Sequence, residues 1–571
     1  MSNFQTNTNR CLLTAVFMMI SSCITLTACA QSDLIKPLKL RQDDAPQRAI
    51  NKLAKGSHVK VYIPSLPYLY TSHSINGAMI KPSDNPRGWE YDMAVDHQKL
   101  DDKTYEFRLR KGVKFQDGTP FNADAVVLNM EYFKKAPVKY SKIDQVFDYA
   151  EKIDDFTVRF HLKEKYGSFM NDVIWMQFYT EEYLKKNPGG WNGKANCPNL
   201  SMPGPYGLGP YILTEGYIEG DRHTSQAVLK ANPYYWDMNY PKVETITVYT
   251  ELDSLAAKEM TLYQEGKLDI TIIPPEDKVE TILSPYSKLI TAPSTDNIAI
   301  HINMINGNPV LRNREVRQAL NEALNQENLV HFVFEQEADQ SPISPLFPGV
   351  NNVATELISF PQNRNPYAPV VQSKLKAILS DLKLKVLTQD RFLPLWRGIE
   401  TQFKRVGVEL DIQVLKSEKE IFGPLLKTNS NENTTEWDLL VWGNDDWYFN
   451  HPYTVFFVLR TDSVWSTVTP DPVMDAYIEN MFRASVEDSE FTDICEKIMQ
   501  RAYDQAYMLF VPTPHKVFAV NKEVVFKPYR MACIPLWKIE VTNLHWSLRS
   551  TETPYPSSLK QPVEIMHVDV R

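Results

Sequence analysis

The stretch of sequence that decides the fold, residues 103–127, reads KTYEFRLRKGVKFQDGTPFNADAVV. Apolar and polar side chains alternate along residues 105–109, which predicts a half-buried strand, and residues 110–115 predict a second strand after a turn. The Asp-Gly-Thr-Pro sequence at 117–120 is typical of a tight turn. Asn122 is then placed to cap a helix, because its side chain can accept a hydrogen bond from a backbone N–H of the first turn.

Outside this stretch, strand-like and helix-like segments alternate along the chain. A period of two predicts strands at 59–63, 157–162, 245–249 and 409–414. Helical periodicity predicts helices at 122–133, 254–264, 314–333 and 395–406. Strands mixed with helices and no fixed repeat indicate an α/β architecture.

The composition is that of a globular protein with an acidic balance. The 571 residues are 43% hydrophobic and 23% charged, which excludes a mainly disordered, collagen-like or polytopic membrane chain. The formal net charge of −9 argues against nucleic acid as a partner, because binding of a phosphate backbone requires a basic surface. The 28 Tyr, 26 Phe and 11 Trp indicate large aromatic surfaces.

The N-terminal segment, residues 1–28, is predicted to be a lipoprotein signal peptide. It is apolar and uncharged after Arg10 and ends in the tetrapeptide LTAC, whose last residue is Cys29. This ending resembles the bacterial lipobox, in which the cysteine receives the lipid after cleavage. A plain N-terminal membrane anchor is the alternative. We expect residues 29–44 to form a tether and the mature protein to be a membrane-anchored lipoprotein in the periplasm or an equivalent extracytoplasmic space.

The cysteines and the catalytic motifs give no sign of a metal site or an enzyme. Cys197, Cys495 and Cys533 remain after Cys29 and form no CxxC or CxxH cluster, so buried free thiols are predicted, with one disulfide between any two as the alternative. The sequence contains no GxSxG, HExxH or GxxxxGK[ST] motif and no GxGxxG after a strand. We therefore expect no enzymatic activity and no cofactor. A secreted hydrolase, whose site would converge only in space, is left open as a separate class.

Residues 103–127 closely resemble the defining motif of the family 5 extracellular solute-binding proteins, which are the dipeptide-, oligopeptide- and nickel-binding receptors of ABC importers. The family usually has LR.GVKF.DG.PF.A.DV in this place, and nearly every position matches. Further family landmarks follow in the family's order at 209–211, 231–242, 264–270, 316–320, 403–408 and 437–443. The resemblance extends from about Trp89 to Trp537, which is most of the mature chain.

The resemblance implies an α/β, two-lobed periplasmic-binding-protein type II-like fold (cluster C), with an extra satellite domain and a hinge cleft. Residues 45–75, 203–294 and 536–571 would form lobe I, residues 76–202 the satellite, and residues 295–535 lobe II. In such proteins the two lobes close over a ligand held between them.

The same resemblance implies a function. The protein would be a lipid-anchored extracytoplasmic solute-binding protein that captures peptides and delivers them to the permease subunits of an ABC importer. A receptor for nickel or another metal chelate is the alternative within the family. We expect a monomer that is held at the membrane by its N-terminal lipid.

The segment that begins at Trp442, WGNDDWYFNHP, is predicted to bind the ligand. A cleft that holds polar cargo needs aromatic walls and a few charges, and this segment follows an apolar strand. In the peptide-binding members a similar W..D….P segment supplies a carboxylate to the ammonium group of the peptide, and Asp445 stands at the matching offset. The predicted ligand-binding residues are Trp442, Gly443, Asp445, Asp446, Trp447, Tyr448 and His451.

Two departures from the family pattern affect this site. The proline follows later than in the usual peptide receptors, so the loop is lengthened and Asp446 could take the role of Asp445; a loop-capping carboxylate is the other reading of Asp445. Nickel-type members carry an arginine two residues before the tryptophan, where this chain has Leu440, which counts against a metal chelate. His451 keeps the chelate alternative open, because a neutral imidazole can ligate a metal, although a surface or capping role is the commoner one.

Overall fold

The computed structural model describes most of the chain after residue 52. The described residues are 53–63, 67–85, 87–135, 141–187, 200–219, 222–251, 267–284, 287–295, 297–339, 365–416, 418–429, 436–444, 448–449, 451–531, 533–548 and 565–567. Several predictions fall outside them: the signal peptide 1–28, Cys29 with the tether 29–44, Cys197, the helix at 254–264, Asp445, Asp446 and Trp447.

The larger of the sheets has eight strands and forms the unit that we call lobe I. In spatial order its strands are Ile565–His567, Ser287–Ala292, Lys516–Asn521, Ile270–Ile272, Ala54–Tyr62, Val243–Tyr249, Gln226–Ala231 and Tyr211–Glu215. The strand Ala54–Tyr62 lies inside the sheet and pairs in parallel with both of its neighbours. Its alternate residues Val59 and Val61 are fully buried, as the period of two predicts.

A five-stranded sheet with helices around it forms lobe II. In spatial order its strands are Val408–Leu415, Leu382–Gln389, Leu439–Asn444, Asn297–Ile302 and Met508–Leu509. Its helices are Arg314–Glu322, Gln326–Phe332, Pro369–Leu379, Leu393–Lys404, Glu418–Asn429, Tyr453–Phe456, Pro472–Arg483 and Ser489–Gln505. The helix Leu393–Lys404 buries Trp396, Ile399 and Phe403, a spacing that turns one face of the helix toward the core.

A four-stranded antiparallel sheet forms the satellite. Its strands in spatial order are Ala94–Asp101, Thr104–Leu109, Thr157–Leu162 and Phe147–Asp154. Its helices are Ala123–Lys135, Ile143–Val146, Phe169–Val173 and Glu181–Lys186. The side chain of Asn122 accepts a hydrogen bond from the N–H of Ala125 (3.1 Å), so the predicted helix cap is confirmed.

Smaller elements connect these units. The remaining strands are Ile80–Pro82 with Trp89–Tyr91, Ala338–Asp339 with Thr513–Pro514, Val524–Val525 with Glu540–Val541, and the group Arg222–His223, Ile218–Glu219 and Leu200–Ser201. The remaining helices are Pro67–Ile75 and Lys278–Leu283, with 3-10 turns at Pro275–Asp277, Pro309–Arg312, Asp390–Phe392, Phe457–Leu459 and Leu536–Lys538. Within the described ranges, no helix combines the length and the apolar character needed to cross a bilayer.

Two local predictions are wrong. Residues 110–115 form no strand, because Gly112 adopts a φ of +76°, which ends the extended chain. The turn that follows is confirmed by the hydrogen bond from Phe115 N to Thr119 O (2.8 Å). The helix predicted at 314–333 is two helices, because Asn325 ends the first pattern and caps the second helix.

Gln116, within residues 103–127, connects the satellite to lobe I by hydrogen bonds. It is buried, and its Nε2 donates to Ile75 O (2.8 Å) and to Tyr211 O (2.7 Å). Its Oε1 accepts the N–H of Gly207 (3.0 Å). The satellite and lobe I are therefore tied together by buried hydrogen bonds.

The chain crosses between the two larger sheets at two places. One crossing joins Ala292 to Asn297, and the other joins Leu509 to Lys516. The two crossings touch, because Ser294 Oγ donates to Pro514 O (2.9 Å). Two short connections between two lobes are the geometry of a hinge, and the predicted two-lobed α/β fold is confirmed.

The predicted domain boundaries can be compared with this topology at one point. The strand Lys516–Asn521 falls inside the range 295–535 assigned to lobe II, yet it pairs with two strands of the larger sheet. This pairing favours a return of the chain to lobe I at the second crossing rather than at residue 536. The division into three domains as a whole stays a prediction.

The thiols of Cys495 and Cys533 are free and buried. The prediction of buried free thiols is thus confirmed for these two residues. Burial raises the pKa of both thiols, that of Cys533 to about 12, so neither has the thiolate character of a reactive cysteine.

Candidate functional site

Trp442 lies near the carboxyl end of Leu439–Asn444, the central strand of lobe II. Its indole is buried and stacks on that of Trp465, with ring centroids 4.9 Å apart and an interplanar angle of 15°. The ring of Phe457 meets it edge-on at 6.3 Å. Three aromatic rings therefore pack together at the predicted position.

Gly443 lies beside the guanidinium of Arg391, a residue that the sequence analysis did not predict at the site. A Cβ placed on Gly443 would lie 3.6 Å from Phe392 Cζ and 3.7 Å from Arg391 Nη2. Arg391 is exposed and follows the strand Leu382–Gln389, which runs parallel to the strand of Gly443. Because the carboxyl ends of parallel strands meet at the same edge of a sheet, a bare backbone and a guanidinium lie together at this edge. The only signal in the sequence was a charged residue directly after a strand.

Tyr448 is fully buried and reaches across to the satellite. Its hydroxyl donates to Asp172 Oδ2 (2.8 Å) and lies 3.2 Å from the hydroxyl of Tyr166, which donates to the same oxygen (2.6 Å). Ser141 Oγ donates to Asp172 Oδ1 (2.7 Å). Burial, with the Asp172 charge as a second cause, raises the pKa of Tyr166 well above its usual range, so this hydroxyl remains a donor.

The backbone of the same segment is bound by the satellite as well. Asn171 Nδ2 donates to Tyr448 O (2.9 Å) and to Phe449 O (3.3 Å). Phe449 has a φ of +48°, unusual for an aromatic residue, and its ring stacks on Trp175 (5.3 Å, 21°). The ring of His73 meets Phe449 edge-on at 5.5 Å. One side chain of lobe II is thus inserted between lobe I and the satellite.

His451 is fully buried and has protein partners at both ring nitrogens. Its Nδ1 accepts the N–H of Tyr453 (3.1 Å), which assigns the proton to Nε2, 3.2 Å from Ser168 Oγ. Burial lowers the pKa of His451 to about 3. A metal at this imidazole would have to displace one of the two partners. In the described part of the chain, no group of three or more His, Cys, Asp or Glu side chains could hold a metal ion.

The structure therefore places Trp442 and Gly443 near the carboxyl end of the central strand of lobe II. It places Tyr448 and His451 in the contact between lobe II and the satellite. Asp445, Asp446 and Trp447 lie outside the described residues, between these two groups in the chain. Ligand contact by the seven predicted residues stays a prediction.

Known proteins resemble the chain over most of its length. Residues 89–465 match the model of the bacterial extracellular solute-binding proteins, family 5 (middle). The oligopeptide-binding protein AppA of Bacillus subtilis is 24% identical over 458 residues, which cover 73% of this chain and 77% of AppA. The glutathione-binding protein GsiB of Pectobacterium atrosepticum is 27% identical over 236 residues; the chain thus spans only 43% of the length of that relative.

Solved structures show the same fold. The structure of AppA from Bacillus subtilis in complex with a nonapeptide is 20% identical, covers 86% of this chain and 100% of its own, and has a TM-score of 0.67. The structure of NikA from Brucella suis in complex with Fe(III)-EDTA is 17% identical, covers 85% of this chain and 100% of its own, and also has a TM-score of 0.67.

Proposed function

Because the chain belongs to the bacterial extracellular solute-binding proteins of family 5, we propose that it captures peptides between its two lobes and delivers them to an ABC importer. The family match confirms the resemblance drawn from the motif at 103–127. The family consists of transport proteins and not of enzymes, so the protein is expected to release its ligand chemically unchanged.

The arrangement of residues 442–449 carries the proposal. Trp442 and Gly443 end the central strand of lobe II, and Tyr448 and Phe449 contact the satellite on the other side. The chain between these two attachment points contains the two candidate carboxylates, Asp445 and Asp446. The attachment of the flanking residues to lobe II and to the satellite supports a ligand contact by one of these carboxylates.

The charges near this segment suit a peptide with free ends. We infer that Asp445, or Asp446 in its place, accepts hydrogen bonds from the ammonium group of the peptide. Arg391 stands beside Gly443 and offers the opposite charge for a carboxylate. A zwitterion needs both signs of charge, and a charge-assisted hydrogen bond at each end would select for unblocked termini.

A titration of the purified mature protein with di- to pentapeptides, followed by tryptophan fluorescence, tests this. Because a hydrogen bond to a charged group contributes about 1.5–3 kcal/mol, Asp445→Asn is expected to weaken binding about 10- to 100-fold. Asp446→Asn is the matched variant, and whichever of the two loses affinity identifies the carboxylate. An N-acetylated peptide should bind wild type as weakly as the free peptide binds that variant. Absence of a response to every peptide would overturn the proposal.

A metal-chelate receptor is the second candidate, and Arg391 is the observation that favours it. Nickel-type members use an arginine near this tryptophan for anionic chelates, and Arg391 brings a guanidinium to the same sheet edge although Leu440 is apolar. The probe is nickel mixed with free histidine. A fluorescence response to this mixture, lost in Arg391→Gln and accompanied by none to peptides, would establish the second candidate and reject the first.

We further propose that the mature protein is held at the membrane by a lipid on Cys29, outside the cytoplasm. The LTAC sequence supports this proposal. Metabolic labelling with palmitate should mark wild type and not Cys29→Ser, which should appear in the soluble fraction. A variant that still labels and still sediments with membranes would exclude this anchor.

A further inference from the structure

The backbones of the satellite and lobe II approach each other closely at Gly167. Its N–H donates to Phe482 O (2.8 Å). A Cβ on Gly167 would lie 2.0 Å from Ala484 O and 2.2 Å from Ala484 C, closer than any side chain allows. Both atoms belong to the backbone, so no side-chain rotation relieves the overlap. Glycine is required here by contact between the two units.

Further contacts surround this point. The ring of Tyr166 stacks on that of Phe482 with centroids 5.7 Å apart. Lys142 forms an ion pair with Glu479 of the helix Pro472–Arg483, and the Lys142 side chain is 11% exposed. Together with Asp172 and Tyr448, these groups join the satellite to lobe II through backbone, ring and charge contacts.

The satellite is also bound to lobe I. Gln116 makes buried hydrogen bonds to three backbone groups of lobe I and its connections, as described above. None of the contacts to lobe II described here involves the two crossing segments of the hinge, 293–296 and 510–515. A satellite carried by lobe I and docked on lobe II spans the space between the lobes, so opening the hinge must break this docking.

We propose that Gly167 and Asp172 are positioning residues for ligand capture: they dock residues 448–451 and 482–484 of lobe II on the satellite and so hold the lobes closed. This inference rests on the proposed function in that the ligand lies between the lobes. Neither residue needs to touch the ligand. Their docking slows its release, because the lobes must separate before it leaves.

Gly167→Ala tests the close approach, with Gly423→Ala as its control. Gly423 lies in the helix Glu418–Asn429 with nothing within 4 Å of its Cβ position. An added methyl group would overpack this contact and destabilise the closed arrangement of the lobes. Gly167→Ala should therefore release the ligand about tenfold faster, as measured by stopped-flow fluorescence. The contraction on ligand binding seen by small-angle X-ray scattering should be lost as well. A dissociation rate and contraction like those of wild type and Gly423→Ala would overturn the proposal.

A pair of hydroxyl deletions separates docking from direct ligand contact. Tyr166→Phe and Tyr448→Phe each remove a donor to Asp172 Oδ2, but only the hydroxyl of Tyr448 crosses from lobe II. Tyr448→Phe should release ligand about tenfold faster, and Tyr166→Phe should stay near wild type. In the background of Asp172→Leu, which leaves no acceptor for the Tyr448 hydroxyl, Tyr448→Phe should add little, because both changes break the same bond. Fully additive effects would show that Tyr448 acts on the ligand and not through Asp172.

Hydrogen exchange without ligand distinguishes failure of the docking from failure of the proposed function. The amides of 166–172 and 448–453 should exchange faster in Gly167→Ala than in wild type. Equal rates would refute the docking whatever the ligand is. Faster exchange in a protein that binds neither peptides nor the nickel–histidine mixture would leave the docking standing and reject the proposed function.

Discussion

Replacement of Gln116 by leucine should weaken the junction between the satellite and lobe I. The two side chains are similar in size, but leucine can neither donate to Ile75 O and Tyr211 O nor accept the N–H of Gly207. Gln116 is 3% exposed, so water cannot take its place without opening the junction.

The magnitude follows from what each partner retains. Ile75 O also accepts a hydrogen bond from Gly209 N (2.9 Å), so it remains hydrogen-bonded after the substitution. The N–H of Gly207 has a single hydrogen to donate and would be left unsatisfied, which costs about 1–3 kcal/mol, and each lost bond to a carbonyl adds about 1 kcal/mol. Gln116→Leu should therefore lower the free energy of unfolding by about 3 kcal/mol.

Urea unfolding followed by circular dichroism measures this change. The matched control is Gln98→Leu, at an exposed position on the strand Ala94–Asp101, which should shift stability by less than about 0.5 kcal/mol. A loss of less than about 1 kcal/mol for Gln116→Leu would refute the reasoning, since it would mean that the buried groups find other partners.

Three further predictions concern stability. Arg317 is buried and donates to four backbone carbonyls, so Arg317→Met should cost about 3 kcal/mol in urea unfolding, and a loss below about 1 kcal/mol would contradict this. Ala506 follows the helix Ser489–Gln505 with a φ of +48°, so Ala506→Gly should raise stability by about 1 kcal/mol, whereas a lower melting temperature would count against it. Burial lowers the pKa of His451 and of His73 to about 3, so the folded protein keeps both imidazoles neutral while the unfolded chain takes up protons below its ordinary pKa of about 6.5. The contribution of each neutral imidazole to the free energy of unfolding is complete above about pH 6.5 and falls by about 1.4 kcal/mol for each pH unit below it, down to about pH 3. The free energy of unfolding of His451→Gln should therefore fall less steeply than that of wild type between about pH 7 and pH 5, and equal slopes would disprove this.

Local signals in the sequence were sufficient for several of the elements that it predicted. The strand Thr104–Leu109, the turn after it and the cap at Asn122 follow from alternation, turn residues and capping chemistry, all of which act within a few residues. Residues 110–115 were predicted as a second strand, but Gly112 adopts a φ of +76° and interrupts the extended chain. The residue type permits this conformation without requiring it, so the sequence alone does not reveal the interruption.

Topology depends on partners that are distant in the chain. The sequence of Lys516–Asn521 is compatible with a strand but does not identify the strands with which it pairs. The structure assigns it to the larger sheet. The same limit applies to Arg391, which the fold brings beside Gly443 from about fifty residues away, and to Gly167, whose need for glycine arises from Ala484.

The segment after Trp442 illustrates how the two kinds of information combine. Its composition predicted aromatic walls for a ligand, and its length predicted a departure from the family pattern. Two of its residues, Tyr448 and Phe449, contact Asp172 and Trp175 of the satellite. A buried carboxylate needs hydrogen-bond donors, and one of the donors to Asp172 is the Tyr448 hydroxyl of lobe II. Tyr448 and Phe449 therefore have a physical role apart from the ligand: they give lobe II a donor and a ring that contact the satellite, and this role requires only that the two units meet.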